Sequence, residues 1–169
     1  MCDQFCESTL IHEMESYFGS DTKRINHAKK VTEFAKQILV KEPCNSEVVI
    51  LAAIFHDIGI HEAERKFGST AGYYQEKEGP PIAREILKRN HIEELTVEEV
   101  CSIIGNHHSP GKIHTTEFKV VYDADWLVNL PDEYGGSDTE RLRKVISKVF
   151  LTRTGKELAE SIYLEGIAC

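Results

Sequence analysis

Two adjacent residues that can bind a metal ion, His56 and Asp57, end the most apolar stretch of the chain, VVILAAIFHDIG. Burying an imidazole and a carboxylate against a hydrophobic core is costly unless both are paired or bound to a metal. The pair therefore needs a partner, and a divalent cation is the best candidate. Histidine and aspartate ligands without cysteine suit zinc, iron, manganese, cobalt or nickel.

Further candidate ligands stand at positions that a helical fold can bring together. His27 interrupts an amphipathic helix directly beside its apolar stripe. His107 and His108 end another predicted helix just before a Pro–Gly turn. The apolar segment VVYDADWLVNL carries Asp123 and Asp125. Converging helix ends are natural places for a site, so these residues predict a metal centre inside a helical bundle.

The hydrophobic periodicity predicts an all-α fold, a helical bundle of seven or eight helices. We expect one domain over residues 1–169, with its motif-bearing core at about 20–130 and C-terminal helices at about 138–165. The predicted helices span about 7–18, 22–42, 47–59, 80–90, 97–108, 117–130, 138–150 and 155–165. Residues 61–79 are charged and contain glycine, so we expect a long loop there.

Helix boundary signals support these limits. Ser20 or Asp21 can cap the second helix, and Ser46 can cap the third. Pro80 and Pro81 suit the first turn of a helix, where proline is tolerated. Thr96 with Glu99 fits a capping box.

Composition limits the range of functions. The 169 residues carry a net charge of −8, which argues against binding a nucleic-acid polymer, because that affinity comes largely from Lys and Arg. No apolar run approaches the roughly 20 residues of a membrane span, and the acidic N-terminus lacks the basic start of a secretory signal. We therefore expect a cytoplasmic protein. Its five scattered cysteines include no CxxC pair, and we expect them to be reduced.

The ordered set His27, His56–Asp57 and Asp125 resembles the HD-domain superfamily of metal-dependent phosphohydrolases. The context is similar too. RINHAKKVTEFA resembles the opening helix of that family, LAAIFHDIG resembles the helix with the signature pair, and VVYDADWL resembles the last helix. The resemblance covers about residues 20–130 and favours Asp125 over Asp123 as a ligand. Asp123 is then a helix-surface carboxylate or a residue that supports a ligand.

Some branches of that superfamily bind two metals through extra histidines. His107 matches one such position, and His108 makes an HH pair like that of the cyclic-dinucleotide phosphodiesterases. The other extra histidine usually precedes a helix-opening Gly–Pro, where this chain has Glu78. The GYP element of the cyclic-dinucleotide branch is missing. We therefore expect one divalent ion, with a second, held by Glu78, His107 or His108, as the alternative.

The resemblance implies hydrolysis of a phosphate ester or phosphoanhydride by metal-activated water. Asp57 would orient the water or bridge two ions. Arg24, Lys66 and Lys112 lie near the motifs in sequence and could neutralise phosphate oxygens. We expect a small phosphorylated substrate, in the first place a nucleotide, and no membrane partner; a homodimer stays open.

Two other functions fit the same motif. A di-iron oxygenase of the HD type would need six protein ligands and iron, and Glu78 in place of a histidine argues against it. A non-catalytic HD module would bind a nucleotide or a partner protein. It would be favoured if His56→Ala and Asp57→Ala left every measurable function unchanged.

Overall fold

The structure, a computed structural model, describes residues 6–136 and 138–165. Within these ranges the chain forms nine α-helices and no strand, so the predicted all-α class is confirmed. The helices are α1 (Glu7–Phe18), α2 (Thr22–Leu39), α3 (Ser46–Phe55), α4 (Ile60–Phe67), α5 (Gly72–Arg89), α6 (Glu94–Ile104), α7 (Thr116–Tyr134), α8 (Thr139–Val149) and α9 (Arg153–Tyr163). None of the helices in these ranges has the length and apolar character of a membrane span.

Helix α3 is the centre of the core. Seven of its ten residues are buried, and it packs against α1, α2, α6 and α7. A helix that is hydrophobic on all sides must be surrounded by other elements. Its C-terminal end therefore lies inside the protein, and the polar residues that follow it, His56 and Asp57, are placed in the interior.

Side-chain caps fix where several helices begin. The carboxylate of Asp21 accepts a hydrogen bond from the Arg24 amide at 3.1 Å and starts α2. The third helix was predicted to be capped by Ser46, but Asn45 caps it and accepts from the Val48 amide at 3.3 Å. Such a cap satisfies one amide that the first helical turn leaves without a partner.

The prediction of a long loop at 61–79 is wrong, because this segment forms α4 and the first half of α5. Pro80 and Pro81 consequently lie inside α5 and do not open it. This difference accounts for the ninth helix. A proline in a helix removes one donor and crowds the carbonyl four residues earlier. Here the carbonyl of Glu76 and the ring of Pro80 both lie against Gly105, so packing on α6 holds the helix through the prolines.

Two glycines let α5 cross the start of α4 in backbone contact. A Cβ on Gly59 would lie 2.5 Å from the Gly79 nitrogen and 2.6 Å from the Gln75 carbonyl oxygen. No side chain fits at that distance, so glycine is required. The crossing presses α5 against the turn that carries His56 and Asp57.

Helix α6 also begins earlier than predicted. Glu93 is its N-cap and makes no side-chain cap hydrogen bond, whereas Thr96 lies buried inside the helix. The predicted capping box of Thr96 and Glu99 is therefore wrong. The helix ends at Ile104, so His107 and His108 stand in the turn after it.

Asp123 fastens the last two helices to the bundle. It is fully buried on α7, and its carboxylate accepts hydrogen bonds from the Leu151 and Thr152 amides at 2.8 and 2.7 Å and from the Thr152 hydroxyl at 2.7 Å. Thr152 in turn caps α9. Burial raises the pKa of Asp123 to about 6, although these hydrogen bonds oppose the shift. It is a buried structural anchor, and the prediction of a helix-surface carboxylate is wrong.

We expect Asp123→Ala to lower the free energy of unfolding by about 2–4 kcal/mol, because amides at the α8–α9 junction lose their acceptor. Urea unfolding followed by circular dichroism measures this loss. Asp132→Ala, an exposed position on the same helix, is the control and should change stability by less than about 0.5 kcal/mol. Equal losses in the two variants would contradict the anchoring role.

Candidate metal centre

Three separate helices bring the four residues of the predicted set together. His27 lies on α2, His56 and Asp57 follow α3, and Asp125 lies on α7. These helices pack on one another. His56 is fully buried and Asp57 is only 8% exposed. The bundle therefore collects side chains that are nearly a hundred residues apart in the sequence.

Backbone hydrogen bonds fix the orientation of two histidine rings. The Nδ1–H of His56 donates to the Ala53 carbonyl at 2.8 Å, and the Nδ1–H of His107 donates to the Ile104 carbonyl at 2.7 Å. Since a carbonyl oxygen can only accept, Nδ1 must carry the proton in each ring. In the neutral ring, Nε2 then has a free lone pair. Second contacts of this kind are typical of histidines that bind metals.

Ring nitrogens and carboxylate oxygens of the four residues lie close together. Nε2 of His27 lies 3.2 Å from Nε2 of His56, 3.0 Å from Oδ1 of Asp125 and 3.5 Å from Oδ2 of Asp57. Nε2 of His56 lies 3.5 Å from Oδ1 of Asp125 and 3.6 Å from Oδ2 of Asp57. Ligand atoms about 2.0–2.2 Å from a common ion are separated by roughly these distances. The donor set fits a divalent cation.

Charges within this group favour a cation at its centre. Burial alone would lower the pKa of His56, but the carboxylates of Asp57 and Asp125 outweigh it and raise that pKa to about 9. Burial would raise the pKa of both aspartates, but the surrounding histidines hold it well below its usual range. The carboxylates are thus ionised, and positive charge is stabilised between them.

A second group of ligand atoms shares Asp57. Asp57, His107 and His108 each offer an atom within 4.8 Å of the others, and Nε2 of His107 lies 3.5 Å from Oδ1 of Asp57. This Nε2 is buried and has no hydrogen-bond partner among the described residues. An unpaired buried lone pair is costly unless something binds it. The first group uses Oδ2 of Asp57, so the two carboxylate oxygens face different groups.

Comparison with known proteins agrees with this geometry. Residues 24–130 match the HD domain family, and this stretch contains every ligand candidate. The chain belongs to the HD domain family. HD domains bind divalent metals, and the His and Asp cluster of this one can hold a metal ion. The match also supports membership of a metal-dependent hydrolase superfamily.

One solved structure resembles this HD domain along most of its length. It is the crystal structure of a predicted HD superfamily hydrolase from an uncultured Thermotogales bacterium. The TM-score is 0.70 at 26% sequence identity, over 95% of this chain and 87% of that protein. No curated protein matches the chain.

Glu78 lies in neither ligand group within the described ranges. Its carboxylate accepts a hydrogen bond from Lys66 at 2.6 Å, and Lys66 also pairs with Glu62 at 3.1 Å. Lys66 and Glu78, two predicted site residues, thus pair with each other and not with the candidate metal ligands. Arg24 is half-buried on α2, three residues before His27, and Lys112 is exposed in the loop after His108.

Two residues that support the cluster were missed in the sequence. Glu76 is buried on α5, and its carboxylate accepts from the amide of His108 at 3.0 Å and the hydroxyl of Ser109 at 2.9 Å. Asn129 donates to Oδ1 of Asp125 at 2.8 Å. Glu76 lay in the segment predicted as a loop. The spacing of four between Asp125 and Asn129 was the available signal, because it places both on one face of a helix.

We expect divalent metal to stabilise the HD domain by about 5–10 °C at a concentration about 100 times the Kd, because only the folded state assembles the ligands. Thermal unfolding with and without Mn²⁺ or Zn²⁺, after treatment with EDTA, measures the shift. Asp57→Asn should lose most of it.

His114→Ala is the control, since His114 is exposed and lies outside both groups. It should keep the full shift. If Asp57→Asn and the wild type respond equally, the ion binds elsewhere.

Proposed function

We propose that this HD domain is a metal-dependent phosphohydrolase that acts on a small phosphate ester or phosphoanhydride, in the first place a nucleotide. The observation that carries the proposal is the position of Asp57, whose two carboxylate oxygens each face a different group of histidine nitrogens. Membership of the HD domain family supports hydrolysis. The substrate class is our inference from the resemblance to the phosphohydrolases of this superfamily, and the cavity of about 140 Å³ beside the cluster suits a small molecule.

The metal, when bound, would lower the pKa of a water molecule and polarise a phosphoryl oxygen. The residues of the chain hold and orient the reacting groups. His27, His56, Asp57 and Asp125 would hold one ion, and Asp57, which the second group shares, would also orient the attacking water. Asn129 keeps Oδ1 of Asp125 directed at the centre.

Positive side chains would neutralise the phosphate. We propose Arg24 and Lys112 for this role, from their positions beside His27 and His108. Lys66 would have to leave Glu78 and Glu62 to reach a substrate. That exchange has a cost, because Glu78 is buried and would be left without its partner.

We expect phosphatase activity that depends on added divalent metal and is abolished by EDTA. Asp57→Asn should lower kcat/KM more than about a hundredfold, because it removes a shared ligand, whereas loss of a supporting residue alone costs about 10- to 100-fold. A screen of nucleotides and other phosphomonoesters with Mn²⁺, Zn²⁺, Fe²⁺, Co²⁺ and Ni²⁺ measures this. Glu64→Gln, an exposed carboxylate on α4, should be unaffected. No turnover with any metal would overturn the proposal.

A second candidate, a di-iron oxygenase, is favoured by one observation. The two groups together supply six residues, the number that such a centre needs: His27, His56, Asp57, His107, His108 and Asp125. The expected histidine at position 78 is therefore not required to reach this number.

Metal analysis and oxygen consumption distinguish the two candidates. We expect about two ions per wild-type chain and about one in His107→Ala, because His107 contributes only to the second group. Glu78→Gln should keep both ions. Oxygen uptake by the anaerobically iron-loaded protein, without phosphatase activity, would favour the oxygenase. One ion in both the wild type and His107→Ala would contradict the shared role of Asp57.

A further inference from the structure

A cavity of about 140 Å³ lies directly beside the candidate metal centre. Its lining includes the candidate ligands His107, His108 and Asp125. Four further residues of α7 also line it, namely Tyr122, Trp126, Asn129 and Glu133. These four are spaced by four, three and four residues, so they share one face of the helix. A substrate whose phosphate reaches the centre through this cavity would place the rest of its structure against this face.

The wall of this cavity is aromatic and already in place. The rings of Phe118 and Tyr122 stack with centroids 5.9 Å apart and an angle of 25°. Trp126 lies 6.5 Å from Tyr122 and 6.4 Å from Tyr134. Neighbouring rings that support each other lose little freedom when a flat ligand packs on them. Such stacking is typically worth about 1–3 kcal/mol per base.

The cavity offers few charges for a polyphosphate. Asp125 and Glu133 contribute carboxylates, and none of the residues that line it in the described ranges is Lys or Arg. Lys66 pairs with two glutamates elsewhere. The guanidinium of Arg141 lies over the Tyr134 ring at 5.8 Å and is not part of the lining. Arg24 and Lys112, which we propose for the reacting phosphoryl group, are not part of this lining. Since Asp125 is a metal ligand, a further phosphate along this face would approach the carboxylate of Glu133.

We propose that the substrate is a phosphomonoester with a single phosphoryl group and a planar aromatic carrier. The carrier stacks on Trp126 and meets Tyr122, whose ring is tilted by 56° from the indole, at its edge. Glu133 disfavours diphosphates and triphosphates. This inference rests on the proposed hydrolase function and narrows it. Trp126 and Glu133 are then residues that determine specificity. Trp126 would contact the carrier, and Glu133 would face the additional phosphates. Neither residue belongs to a ligand group.

Fluorescence provides a direct test, because Trp126 is the single tryptophan of the chain. Titration of the metal-loaded protein with AMP should quench its emission, since the base stacks on the indole. Glycerol 3-phosphate, which has the phosphate without a ring, should bind with little quenching. Equal responses to the two ligands would overturn the proposed stacking, whether or not either ligand is hydrolysed.

Kinetics with AMP, ADP, ATP and glycerol 3-phosphate test specificity. We expect kcat/KM to fall from AMP to ADP to ATP. Trp126→Ala should lower kcat/KM for AMP about tenfold or more and leave kcat/KM for glycerol 3-phosphate unchanged. Trp126→Phe should keep most of the activity on AMP. Glu133→Gln should raise kcat/KM for ADP and ATP, relative to that for AMP, about fivefold. The control is Glu140→Gln, which removes an exposed carboxylate on α8 and should not change this ratio.

The outcomes separate this inference from the proposed function. ATP hydrolysed as well as AMP, or equal losses on AMP and glycerol 3-phosphate in Trp126→Ala, would overturn the inference while hydrolysis stands. A selective loss of ATP hydrolysis in Arg141→Ala would also overturn it, because Arg141 would then bind the extra phosphates. Absence of turnover with every metal would overturn the proposed hydrolase function. The quenching titration would then still show whether the base stacks on Trp126. Thermal unfolding of Trp126→Phe and Trp126→Ala checks that both variants fold.

Discussion

The structure depends on an electrostatic constraint, the meeting of histidine lone pairs and carboxylate oxygens in a nearly dry space. The Nε2 atoms of His27 and His56 lie 3.2 Å apart and face the oxygens of Asp57 and Asp125. With both Nε2 atoms unprotonated these groups would repel one another, so the arrangement favours positive charge between them, either a proton or a metal ion. The apolar helix α3 creates the constraint, because its burial carries His56 into the interior.

Helix α5 makes the second ligand group possible. The contact between Gly59 and Gly79 lets this helix lie against the turn after α3. From there the Glu76 carboxylate reaches the amide of His108 and fixes the turn beyond α6. His107, with Nδ1 already bonded to a backbone carbonyl, then directs Nε2 at Asp57. The close contact between the backbones of Gly59 and Gly79 therefore helps to place histidine nitrogens beside both carboxylate oxygens of Asp57.

The sequence indicates the residues that the structure brings together in both ligand groups, but not the roles of the α5 carboxylates beside them, for physical reasons. His27, His56, Asp57 and Asp125 stand in or beside strongly apolar helices, and periodicity places such helices reliably. Pro80 and Pro81 indicated a helix start, but packing against Gly105 overrides that local preference. With α5 shortened in this way, Glu76 falls in a predicted loop and has no predicted role. The sequence indicates Glu78 as a ligand instead, although its carboxylate contacts Lys66. Contacts between helices determine the roles of Glu76 and Glu78, and no local sequence pattern indicates these contacts.

Asp123 and Asp125 show how helix geometry separates residues that look equivalent in sequence. Two residues along a helix turn the side chain by about 200°, so these aspartates point to nearly opposite sides of α7. Asp125 faces histidines, which hold its pKa well below the usual range. Asp123 faces neutral amides and a hydroxyl, and burial raises its pKa to about 6. Because both neighbourhoods in sequence are apolar, composition could not tell them apart. The difference lies in what each side of α7 packs against: the ligand-bearing helices on one side, and the α8–α9 junction on the other.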